Sequence, residues 1–119
     1  MPYDPKVGTP PGPDFDYASD IARFTSNVDA KAVKGIVKHL GIALKSIDSS
    51  MVSCSDKGER DRVRDQFLVK KLGLEKDKAE LDKIVMAVCE KMKADKSKLR
   101  VTFCYLLAEQ VGKLGAFAK

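Results

Sequence analysis

His39 is the only histidine among 119 residues, and Cys54, Cys89 and Cys104 are the only thiols. An imidazole that takes a proton from a thiol is a minimal device for nucleophilic catalysis, provided the two side chains meet in space. Cys54 is the thiol best suited to that role. It lies between Ser53 and Ser55, just before the predicted start of a helix, where backbone N–H groups favour a thiolate. A small enzyme centred on His39 and the Ser53-Cys54-Ser55 turn is therefore one reading, with Cys54 as its reactive thiol. The other reading leaves His39 as a structural or solvent-edge residue on the flank of an apolar stripe, and Cys89 and Cys104 as small core residues. An odd number of widely spaced cysteines fits free thiols in a reducing compartment. One histidine and no Cys-x-x-Cys pair argue against a zinc site, and neither GxxxxGK[ST] nor GxGxxG occurs. No catalytic residue, metal or cofactor is expected on these grounds.

Cations are the other candidates. Lys plus Arg total 22 against 17 Asp plus Glu, a net charge of +5. The excess is uneven, since residues 1–30 hold two bases and five acids. Lys31, Lys34 and Lys38 share a predicted helix face, Lys45 joins them if the helix continues, and no acid lies between Asp29 and Asp48. A second group, Lys91, Lys93, Lys96, Lys98 and Arg100, meets only Glu90 and Asp95. Closely placed cations are all that contact with phosphates requires, and nothing in the chain resembles a base-reading element. Nucleic-acid binding, if it occurs, is thus expected to be sequence-nonspecific; the alternatives are an acidic protein partner or an ordinary solvated face. The sign-alternating run Arg60-Asp61-Arg62-Val63-Arg64-Asp65 reads as exposed, weak ion pairs.

These groups must be positioned by helices. All five prolines fall in the first 13 residues, which read as a flexible tail with Thr9-Pro10-Pro11-Gly12-Pro13 as an extended segment a partner can recognise. Residues 14–119 then form a single helical domain. Helix one is expected over 14–26, opened by Asp14 or Asp16 and broken at Asn27. Asp29 caps helix two, with Val33, Ile36, Val37, Leu40 and Leu44 as its apolar stripe and Gly41 as its kink or end. Residues 46–56 read as a loop or short helical turn. Asp56 and Glu59 resemble a capping box that opens helix three over 57–72, closed by Gly73. Helix four spans 76–94. Helix five, over 97–114 with Asp95 or Ser97 as cap, is apolar nearly all round and is therefore central. The expected fold class is all-α, a compact bundle of four to five helices around a central C-terminal helix.

The segments VKHLGIAL (37–44), DSSMVSCSDK (48–57), KKLGL (70–74), VCEKMKAD (88–95), RVTF (100–103) and YLLAE (105–109) carry a resemblance that extends from Ala32 to Leu114. The chain resembles a family of small bacterial proteins catalogued as domain of unknown function 2853. That resemblance implies a bacterial source and a small helical protein, and brings no activity, cofactor or partner. The N-terminus lacks a signal-peptide pattern and no apolar run is long enough to span a bilayer, so a cytoplasmic protein with no membrane association is expected. The leading functional expectation is a non-enzymatic interaction module with a protein partner, or a homo-oligomer formed through helix five or the tail Leu114-Gly115-Ala116-Phe117. Phosphate-backbone binding is the alternative.

Overall fold

Four aspartates stand one residue ahead of a helix and fold back onto its free N–H groups. The computed structural model describes Gly12 and residues 15–46, 49–95 and 98–117. Asp16 accepts from the Ser19 amide and opens α1 (Tyr17–Ile21). Asp29 accepts from Lys31 and Ala32 and opens α2 (Ala30–Leu40). Asp56 accepts from Gly58 and Glu59 and opens α3 (Lys57–Val63), and Asp77 accepts from Glu80 at the head of α4 (Lys78–Lys91). Each satisfies donors that the first helical turn cannot bond internally. Only half of the expected capping box forms at α3, because the Glu59 carboxylate turns to Arg62 and Arg100. The α-helical part of helix one is shorter than expected and gives way after Ile21 to tight turns, with Asn27 at φ 57°. Asp14 and the proline-rich stretch lie outside the described residues, apart from Gly12, whose carbonyl accepts from the Tyr17 hydroxyl.

The fifth helix, α5 (Arg100–Gln110), is the centre of the bundle. Val101 through Ala108 are buried without a break, and α1, α2, α4 and the segment after α3 all pack on it. Its start differs from expectation. Lys98–Leu99 forms a strand, β2, paired antiparallel with β1 (Met51–Val52) in the register Met51↔Leu99 and Val52↔Lys98. Two residues are too few to show a two-residue period, so the sequence reads β1 as loop and β2 as helix. Leu99 precedes α5 with no side-chain cap; Asp95 instead accepts two bonds from Arg23, and Ser97 lies outside the described residues. The Arg100 amide donates to Ser50 O at 2.8 Å and ties the start of α5 to the loop before β1.

A second departure follows α3. The expected helix over 57–72 continues past Val63 as a π-helix, Arg64–Lys71. Val63 and Leu68, and likewise Phe67 and Leu72, are five residues apart, and all four are buried. The wider turn brings both pairs to one face, which an α-helix would spread around its circumference. Gly73, at φ 68°, ends it: its own amide reaches Val69 O, and the Leu74 amide reaches Leu68 O. After α2, Gly41 at φ 39° turns the chain into a 3₁₀ segment, Gly41–Lys45, which buries Leu44 and leaves Ile42 82% exposed. None of the described helices is long and apolar enough to cross a membrane.

The apolar tail offered by the sequence as a self-association surface is used within the molecule. Phe117 is 5% exposed, its ring stacks on Phe67 with centroids 5.7 Å apart, and its backbone passes directly over α2 at Gly35. A Cβ at position 35 would lie 2.2 Å from Phe117 O. Helix propensity alone makes Gly35→Ala stabilising by about 1 kcal/mol. The contact reverses the sign, and the variant should lose about 1–3 kcal/mol in urea denaturation. In a chain ending at Ala116, the same substitution should become neutral or stabilising; a loss in both backgrounds would refute this role for Gly35.

Candidate functional site

Lys31, Lys34, Lys38 and Lys45 remain free of ion pairs among the described residues, and all but Lys31 edge a broad concavity. A groove of about 700 Å³ runs along α2 and onto the 3₁₀ turn, with Phe15 and Tyr17 forming its opposite wall. Ala30, Val33, Val37 and Ile42 supply apolar surface, while Lys34, Lys38 and Lys45 line the same groove. Lys31 is exposed and is not among the lining residues. The arrangement follows from local sequence. Val33 and Ile36 are buried in the core, Val37 is half-buried at the groove, and Lys34 and Lys38 stand one turn apart beside it. Asp16 also lines the groove, but its carboxylate is engaged by the backbone and hydroxyl of Ser19. Those bonds hold the Asp16 carboxyl below the usual range.

The second cation group is not gathered in the same way. Arg100 points inward, donating from Nε to Ser49 O at 2.7 Å and from Nη2 to Met51 O at 3.1 Å, and pairing with Glu59. Lys98 donates to the Asp95 carbonyl at 2.7 Å, and Lys93 pairs with Glu90 at 2.8 Å. Lys91 is exposed, and Lys96 lies outside the described residues. Three of these five cations are thus committed within the chain. The run 60–65 also departs from expectation, since Arg64 is buried rather than exposed. It bonds Asp65 at 2.9 Å, Asp82 at 2.8 Å and Asp61 at 3.1 Å, clamping the π-helix to α4. The bonds to Asp65 and Asp82 push its pKa up despite desolvation.

Cys54 is not a free thiol. The turn after β1 carries it to α4, its Cα lies 5.8 Å from that of Cys89, and the two form a disulfide. Arg60 donates to the Cys54 carbonyl at 2.5 Å, fixing the same turn. The pairing overturns the reading of three free cysteines and removes Cys54 as a nucleophile while the bond is intact. Connectivity of this kind cannot be deduced from spacing. Cys104 is free and fully buried, and burial pushes its thiol up to about 12, which makes it inert near neutrality. His39 lies against Phe67 and Phe117, with ring centroids 6.2 and 6.1 Å away. Burial and the Lys71 charge hold its pKa below the ordinary 6.5. For Glu59, desolvation pushes the carboxyl up, but hydrogen bonds from Arg62 and Arg100 and their charges outweigh it and hold the group below 4.5.

Two outcomes follow. Iodoacetamide alkylation of the unfolded, unreduced chain, read by mass spectrometry, should modify one cysteine, and Cys54→Ser should lower stability by roughly 3–4 kcal/mol through loss of the cross-link. Modification of all three cysteines would contradict the pairing. Both His39 and Glu59 have folded values below their unfolded ones, so the unfolded chain takes up protons first as the pH drops, and stability is lost as the pH falls. The His39 contribution should fade below about 6.5 and the Glu59 contribution below about 4.5. Urea denaturation across this range should show both stages, with His39→Gln flattening only the upper one.

No curated protein matches the chain. A family model described as "Protein of unknown function (DUF2853)" matches residues 16–115, from the capping aspartate of α1 to the 3₁₀ turn after α5. The match takes in the disulfide, the central helix and all of the groove's lining but Phe15, and the chain belongs to that family.

Proposed function

We propose that the protein is a non-enzymatic interaction module that seats an acidic, amphipathic segment of a partner protein along α2. The observation that carries this reading is the groove itself, where apolar surface is edged by Lys34, Lys38 and Lys45, none of them ion-paired among the described residues. Ile42, 82% exposed at one end, offers an anchor that a solvated lysine face would not need. A helix laid in such a groove would place apolar residues against Val33, Val37 and Ile42, and carboxylates against the lysine edge. The arrangement favours this over a phosphate surface, because Lys98 and Arg100 are spent on backbone carbonyls and Lys93 on Glu90, which leaves fewer free cations to extend a path for a nucleic-acid backbone. The small-enzyme reading loses its support with the Cys54–Cys89 bond.

Fluorescence anisotropy tests it with two labelled probes: a peptide with leucines at i, i+3, i+4 and i+7 and glutamates on the opposite face, and a random-sequence DNA duplex. The peptide should bind saturably, and Lys34→Glu with Lys38→Glu should weaken it about 10- to 100-fold, with the circular dichroism spectrum unchanged. Ile42→Ser should weaken it with little effect on salt sensitivity. Binding of the duplex alone, lost steeply with added salt, would replace this proposal with phosphate-backbone recognition. Binding of neither probe would remove the groove as a site.

A further inference from the structure

A second, smaller cavity of about 330 Å³ lies between α2, α3 and α5, on the side of α2 that carries His39 and Leu40. Three observations set it apart from the groove. First, polar groups converge on it from separate elements: His39 from α2, Glu59 and Arg62 from α3, Gln66 from the π-helix and Arg100 from α5. Second, the hydrogen bonding within it is unbalanced. Among the described residues Glu59 is the only carboxylate of the lining, and it is already shared between Arg62 and Arg100. Arg62 uses only Nη2, Arg100 leaves Nη1 over, and neither His39 nor Gln66 makes a side-chain hydrogen bond among the described residues. Third, Leu40, Ala43 and Phe67 form an apolar wall.

A cavity lined by apolar side chains with a few convergent polar groups is the usual form of a small-molecule site. Among the described lining residues, two guanidinium groups against one carboxylate leave a single positive charge, with donors in excess of acceptors. We infer that this cavity binds a small monocarboxylate, its anionic end held by the free guanidinium N–H groups of Arg62 and Arg100 with Gln66, and its short hydrocarbon body set against Leu40, Ala43 and Phe67. Planar guanidinium groups suit a carboxylate because they donate two parallel hydrogen bonds to it. The His39 ring, which lines the same cavity, adds a further N–H donor. The inference is independent of the groove, which uses none of these side chains.

The test is a ¹H–¹⁵N NMR titration of the full chain with butyrate and benzoate, and with butanol and inorganic phosphate as comparisons. Both carboxylates should give saturable shifts, in the millimolar range or tighter, at the amides of Leu40 and Ala43 and at the side chains of Arg62 and Gln66. Arg62→Met keeps the aliphatic stem and removes the charge from an exposed side chain, so it should weaken binding about tenfold with the circular dichroism spectrum unchanged, although loss of its bond to Glu59 should lower the melting temperature slightly. Gln66→Leu, also at an exposed position, is a second check and should weaken binding in the same direction. Equal shifts with butanol, tighter binding of phosphate, the absence of saturable shifts, or unchanged affinity in both variants would overturn the proposal.

Discussion

The structure depends on satisfying the polar groups of a helix that has no solvent-facing side. From Val101 to Ala108 α5 is buried, yet Thr102 and Tyr105 bring hydroxyl groups into that interior and Arg100 brings a charge to its edge. An unbonded polar group in such a place costs roughly 1–3 kcal/mol, so each needs a partner from a surrounding element. Thr102 donates to the buried Asp20 of α1, which also pairs with Arg23. Tyr105 accepts from the Asp29 amide, the residue that caps α2. Arg100 holds the Ser49 carbonyl just before β1, the Met51 carbonyl within it, and the Glu59 carboxylate of α3. Apolar packing makes α5 central; these bonds decide where α1, α2, β1 and α3 sit around it.

Both concavities are products of that arrangement. α2 is held at its start by Asp29 and Tyr105, and it presses Val33 and Ile36 into the core. With two of its sides thus committed, one flank faces α1 across the groove and the other faces α3 across the smaller cavity. The lysines fall on the first flank and His39 on the second because they occupy different positions in the helical turn. The same helix therefore separates a surface suited to a protein segment from a pocket suited to a small anion. Arg64 and the Cys54–Cys89 bond complete the frame on the far side by fastening the π-helix and the β1 turn to α4.

Much of the frame was legible in the residues. Asp29 and Asp56 announce their helices because a short acceptor before an apolar-periodic run has one favourable use. The centrality of α5 was legible because its apolar residues surround the axis. The two-residue ladder was not, because so short a strand leaves no periodic trace. The π-helix was obscured by a count that fits α3 equally well up to Val63, although the five-residue spacing of Val63 with Leu68 and of Phe67 with Leu72 held the signal. Arg64 misled for another reason: alternating charges describe an exposed face only when no distant acid, here Asp82, arrives to accompany one of them inward. The lysine edge was visible as charge, but its meaning depends on Ile42 and on α1, which only the folded chain brings alongside.

The placement of α5 also sets an order of events during synthesis. The helix on which the other elements rest follows them in the chain, and so does Phe117, which completes the surface over Gly35. At ribosomal rates of about 5–20 residues per second, roughly 3.5–14 s separate the emergence of α2 from that of α5. During that interval Val33, Ile36, Leu81 and Val85 exist without the surface that will cover them. The nascent chain thus carries capped, amphipathic segments too short to hold helical structure by themselves, and their packing into a core waits for α5.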